Sequence, residues 1–194
     1  MIGRPRSVDD DQIFDAVGAV VSEQGPNGLT LASIAERVGL TAPALTQRFG
    51  SKRALLLGFA ERSARSTVAV FERARDRATD AATAIVDGLV DLVRPIDSRT
   101  ALANNLAMLH LDLVDPELGA HARAQSRAFR AELVALIGDG VRDASLRDVD
   151  PATLADTLAT VYNGALITWA IDGDGRLDEW LRTRLERALE PFRA

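Results

Sequence analysis

The chain has 194 residues, 47% of them apolar and 26% charged, which is the balance of a globular protein long enough to bury a real core. It has no cysteine, which excludes disulfides, thiolate metal sites, iron–sulfur ligation and a cysteine nucleophile; two histidines, His110 and His121, are too few for a histidine-rich metal centre. The formal net charge of −5 argues by itself against nucleic-acid binding, but it averages unlike parts: residues 1–66 carry 8 basic and 7 acidic side chains, residues 67–194 carry 15 and 21.

The start, MIGRPRSVDDD, has no apolar segment behind its arginines. The longest uncharged stretch of the C-terminal half, 157–171, is 15 residues, short of the ~20 that span a bilayer. A cytoplasmic protein without membrane contact is expected.

Helical spacing runs almost throughout, so the fold class is all-α. Asp9–Asp11 stand at the mouth of the first helix, whose face is Ile13, Val17, Val20 and Val21. Gly25-Pro26-Asn27-Gly28 should end it. Thr30 reads as the next N-cap, with Ile34, Ala35 and Val38 following at helical spacing and Gly39 in the left-handed cap position. Thr41 caps a third, short helix with Pro43 in its first turn, and Gly50 stops it. A long helix over 52–77 follows, then helices near 80–94, 99–113, 116–143, 151–171 and 176–192. Pro95, Pro116, Pro151, Gly173 and Gly175 supply the breaks.

The informative stretch is 31–49. Ala35 precedes Gly39 by four residues, and Leu45 follows six later. Two helices crossing steeply need a small residue at their contact, a turn residue that tolerates positive φ, and apolar filling between them. Ala35, Gly39 and the set Ile34, Leu40, Leu45 meet those needs. The second helix is then free to enter a DNA major groove. The spacing alone also fits a plain helical hairpin within a bundle.

The flanking residues add to it. GRPR at 3–6, the helix around 13–21, EQG at 23–25, LTLASIAERVGL at 29–40 and TAPALTQRFGSKRALL at 41–56 together resemble the DNA-binding domain of the TetR (tetracycline repressor) family of bacterial transcription regulators. The resemblance implies a helix-turn-helix DNA-binding domain over 1–50, joined by a long helix to a regulatory and dimerisation domain over 51–194. It also implies a repressor released from its operator by a small molecule. The family commonly ends its recognition helix with an aromatic residue and a histidine before the phenylalanine; this chain has Thr46 and Arg48 there.

Leu45 and Phe49 should point inward on the third helix, leaving Thr41, Ala42, Thr46 and Gln47 outward. Gln47 suits an adenine edge, Ala42 a thymine methyl, and Arg48 a phosphate or guanine. Thr41 and Thr46 suit phosphate; Thr30 is a cap first and a phosphate contact second. Lys52, at the start of the long helix, is similar to a lysine that holds backbone phosphate in related proteins. Arg4 and Arg6, on an arm stiffened by Pro5, reach for a groove or the backbone.

A single helix-turn-helix makes few contacts, so a twofold dimer on a palindromic or near-palindromic double-stranded operator is expected. Leu177, Trp180, Leu181, Leu185, Ala188, Leu189 and Phe192 form a near-heptad stripe; Leu158, Val161, Ala165 and Thr168, with Gly164 allowing close approach, form a companion face. In similar proteins the last two helices dimerise as a four-helix bundle. Regulators of this kind also enclose an effector pocket, for which Phe71, Leu89, Asn104, Asn105, Met108, Phe129, Tyr162, Leu166 and Trp169 are candidate lining residues. Such a pocket suits a small hydrophobic or amphipathic ligand. Neither histidine has a sequence partner that would make it catalytic, no phosphate-binding glycine loop is present, and no cofactor or metal is expected. The alternatives are a helical protein-binding adaptor and a small-molecule enzyme without DNA binding.

Overall fold

The computed structural model describes residues 8–194, so the arm carrying Arg4 and Arg6 lies outside the described residues. The described chain folds into nine α-helices: α1 (Asp10–Gly28), α2 (Leu31–Arg37), α3 (Ala42–Phe49), α4 (Lys52–Arg77), α5 (Ala81–Asp91), α6 (Arg99–Val114), α7 (Pro116–Arg142), α8 (Pro151–Asp172) and α9 (Leu177–Leu189). A 3₁₀ turn at Glu190–Phe192 closes the chain. Among the described residues, no helix is long and apolar enough to cross a membrane.

Polar side chains start most of these helices by taking a free backbone N–H. Asp9 accepts from Gln12 N at 2.8 Å and the Gln12 side chain accepts from Asp9 N in return, a reciprocal cap. Ser51, Asp80, Ser98 and Asp150 each accept from the N–H three residues on, and Pro116 and Pro151 occupy first turns where no amide hydrogen is needed.

Two apolar cores result. Ile13, Val17, Val20, Leu29, Ile34, Leu45 and Leu55 join α1–α3 to the foot of α4, and Met108 of α6 completes this cluster. The larger core packs α4, α5 and α7–α9 around Phe71, Ile85, Leu89, Leu133, Ile137 and Leu158. The head is therefore seated on α6, not only hung from α4.

Two expectations change. The 25–28 segment kinks α1 without ending it: Gly25 sits at φ +67°, and Pro26–Gly28 add one more turn before the Leu29 N–H bonds to the Pro26 carbonyl. The stripe assigned to the dimer is also interior. Leu158, Ala165, Leu177, Leu181, Leu185 and Leu189 are buried in their own subunit. Trp180 and Val161 are half-buried against the same core, and the Trp180 Nε1–H donates to the Ala165 carbonyl at 3.1 Å. Arg184 covers the Trp180 ring. Gly164 and Thr168 do face outward, beside Ile167 and Ile171, which are 50% and 67% exposed.

Candidate nucleic-acid interface and adjoining cleft

The turn between α2 and α3 closes by two hydrogen bonds: Leu40 N–H to Ala35 O at 2.8 Å and Gly39 N–H to Glu36 O at 3.3 Å. Nesting one bond inside the other requires a left-handed residue at Gly39, which has φ +69°. Ala35, 1% exposed, lets the helices approach, and Ile34 and Leu45 fill the space between them. Arg37 pairs with Glu23, fastening α2 to α1.

This packing turns one side of α3 to solvent. Thr41, Thr46 and Gln47 are exposed and Ala42 is partly so. Thr41 Oγ1 accepts from Ala44 N as the cap, which leaves its hydroxyl hydrogen outward. Thr46 donates its hydroxyl to the Ala42 carbonyl at 3.1 Å, so it presents acceptor lone pairs and not the donor expected for phosphate. Thr30 is likewise engaged as a cap with Ser33. The Gln47 side chain makes no hydrogen bond among the described residues.

The cations differ. Lys52 is exposed at the first position of α4 and forms no ion pair among the described residues. Arg48 is held by its own head: it pairs with Asp10 at 2.6 Å and donates to the Val8 carbonyl at 2.6 Å. Arg53 turns away to Asp115 and Glu117.

The expected pocket does not form as one group. Phe71, Phe129 and Tyr162 fill the larger core in a tilted aromatic row with centroids 6.0 and 5.4 Å apart. Leu89 and Trp169 are buried, and Leu166 packs against that core. Asn104 and Asn105 instead bind the head: their amides donate to Ser22 O at 2.9 Å and Ser22 Oγ at 3.0 Å. Open space lies beside that contact. A cleft of about 620 Å³ runs between α1, α4 and the approach to α6, and a second cavity of about 270 Å³ meets α1, α4, α6 and α7. They share Phe59, Ser63, Asn105 and Gln125, and only Asn105 and Met108 of the expected lining residues face either one.

Sequence reasoning missed Asp112 on the wall of the second cavity. Its Oδ1 is buried without a hydrogen-bond partner, and burial, with the nearby Asp115 charge, raises its pKa to about 6. Asp115 moves the other way, to about 2, because Arg53 and the N–H groups of Leu118 and Glu117 bind its charged form.

Residues 13–58 match the family model described as bacterial regulatory proteins, tetR family. No curated protein sequence matches the chain. Among solved structures, a TetR transcription regulator from Haloarcula marismortui ATCC 43049 is similar at TM-score 0.76 and 20% identity, covering 95% of this chain and 98% of that one. A TetR-family regulator from Rhodococcus sp. gives 0.73 and 18% over the same shares. A regulator from Saccharomonospora viridis in complex with choline gives 0.74 and 20%, covering 93% and 95%. The helix-turn-helix segment thus matches the tetR-family model, and the chain along its length has the fold of these solved regulators.

Proposed function

We propose that the protein represses transcription as a twofold dimer on a near-palindromic operator and leaves it when a small molecule enters the cleft between head and body. The observation that carries the DNA contact is the pairing of an exposed α3 face, Thr41, Ala42 and Gln47, with the uncommitted Lys52 at the start of α4. Gln47 and Ala42 read bases, while Lys52 and Thr41 meet the backbone; Thr30 and Thr46 join them by turning their hydroxyl hydrogens from Ser33 and the Ala42 carbonyl to a phosphate. Arg48 joins them on exchanging Asp10 for a phosphate, and the Arg4/Arg6 arm adds a groove or backbone contact. Residues 1–50 act as the head and 51–194 as the regulatory part, in the cytoplasm.

For the dimer, the outward face of α8 replaces the leucine stripe: Gly164, Ile167, Thr168 and Ile171 are the surface that a second subunit would cover. The choline complex of a similar fold supports an effector site in this architecture. An effector acts by preferring one spacing of the two heads, and its effect is limited by its differential affinity for the two states.

A gel shift with the DNA flanking the protein's own gene tests the reading. Specific retardation that weakens with salt is expected. Retardation no stronger than with unrelated DNA would overturn it in favour of an adaptor or an enzyme.

A further inference from the structure

The smaller cavity, about 270 Å³, has Phe59 and Met108 as apolar walls and Ser63, Asn105, Asp112 and Gln125 as polar ones. Three of these polar groups share a chemical bias. Asn105 spends both amide hydrogens, on Ser22 Oγ at 3.0 Å and Ala101 O at 2.8 Å, so only its carbonyl oxygen remains. Ser63 gives its hydroxyl hydrogen to the Phe59 carbonyl at 3.0 Å, leaving lone pairs. Asp112 has a buried Oδ1 that receives no donor, and no arginine or lysine lies within ion-pair distance of it among the described residues. Asp115, three residues on, is itself negative and is already bound to Arg53. The wall therefore offers two acceptors with their hydrogens spent, on Asn105 and Ser63, and a third, Asp112, that carries an uncompensated charge; Gln125 keeps both an amide donor and an acceptor. A buried carboxylate oxygen in that state is costly and strongly favours a charged donor.

We propose that this cavity binds a small organic ammonium, a primary or secondary amine whose N–H groups donate to Asp112, Asn105 and Ser63 and whose hydrocarbon part packs on Phe59 and Met108. The proposal rests on the effector-responsive reading and names the chemistry of its effector. A carboxylate ligand is repelled by Asp112. A neutral alcohol brings one donor to three acceptors, and a quaternary ammonium brings charge without N–H. The 270 Å³ equals the share of about nine waters at ~30 Å³ each, which limits the ligand to roughly ten heavy atoms. Because Asn105 also binds Ser22 of α1, and Ser63 belongs to α4, an occupant touches the seat of the head directly.

The test uses cyclohexylammonium, trimethylcyclohexylammonium and cyclohexanol at pH 7.5, where Asp112 is ionised. Calorimetric titration into the full-length, DNA-free protein reports the site alone, so its outcome is separate from that of operator binding. Cyclohexylammonium should bind at least about tenfold more tightly than the other two, and Asp112→Asn, nearly isosteric, should remove about tenfold or more of that affinity while leaving cyclohexanol unchanged. Circular dichroism checks that the variant is folded. Equal binding of the three probes, unchanged ammonium affinity in Asp112→Asn, or no heat with any probe at millimolar concentration would overturn the proposal.

Discussion

Arg53, on the first turn of the long helix α4, holds Asp115, the cap of α7, with Nη1 2.6 Å from Oδ2. Asp115 at the same time accepts the N–H groups of Glu117 and Leu118, both at 3.0 Å. One residue thus ends α6 through its backbone N–H, which donates to Leu111 O, starts α7 through its carboxylate, and ties both to the start of α4 beneath the α1–α3 head. Arg62 of α4 makes a second tie, to Asp15 of α1 at 2.7 Å.

The Arg53–Asp115 pair should appear in an NMR titration of the Asp115 carboxyl. Its folded pKa, about 2, lies below the ordinary aspartate value near 4. The associated stability is therefore present above about pH 4 and is lost as pH falls through about 2. In Arg53→Met the Asp115 pKa should rise, while the two N–H bonds keep it below the ordinary value. An unchanged titration would show that the ion pair contributes nothing in solution.

Asp112 should behave with the opposite sign. Its folded pKa, about 6, is above the ordinary value, so its contribution favours the fold below about pH 4 and is lost as pH rises through about 6. Asp112→Asn should melt higher than the parent protein at pH 8. The difference should shrink to near zero between pH 6 and pH 4. Melting curves of both proteins across that range check it, and a difference independent of pH would contradict the assignment.

Gly39→Ala isolates backbone strain. Nothing lies within 4 Å of the added Cβ, so no clash is created, but φ stays at +69°. A loss of about 1–2 kcal/mol is expected by denaturant unfolding, with weaker operator binding because the turn aims α3. The same position shows how far the sequence carries. Thr30, Thr41, Ser51, Gly39 and Gly50 do their work within a few residues of chain, so caps and turns could be read directly, and with them the helices and the head. Asp112 could not be read this way: its i+2 neighbours diverge on the helix, and only packing against α1, α4 and α7 makes its carboxylate buried and unpaired. Asn104 and Asn105 were visible as unusual amides in an apolar stretch, but their partner, Ser22, lies more than 80 residues earlier.

Contacts to DNA separate by charge and by shape. Lys52→Ala should weaken binding to every sequence and lower the slope of log affinity against log salt by about one unit. Gln47→Ala should instead change which base pairs are preferred at its position, at about 1–3 kcal/mol, with the salt slope unaltered. Binding-site selection and salt titrations with both variants decide this. Retention of affinity, slope and preference in both would remove α3 and the α4 start from the interface.

The C-terminal helices give the sharpest separation between two roles that look alike in sequence. A leucine at every fourth position of α9 fits a subunit interface and an internal core equally well, because a stripe does not name what covers it. Leu177, Leu181, Leu185 and Leu189 are all at or below 3% exposure within one subunit, so the stripe is core. Ile167 and Ile171 lie one turn apart on α8, exposed, with Gly164 a turn earlier and nothing within 4 Å of its would-be Cβ. Ile167→Asp, with Ile171→Asp in the same chain, places charges on a surface that the single subunit leaves in water. Its helical content should survive, while light scattering at micromolar concentration should show a monomer. Leu185→Asp buries an unpaired carboxylate in the core and should cost several kcal/mol, losing the fold itself. A double Ile variant that remains a dimer would exclude the α8 face as the interface.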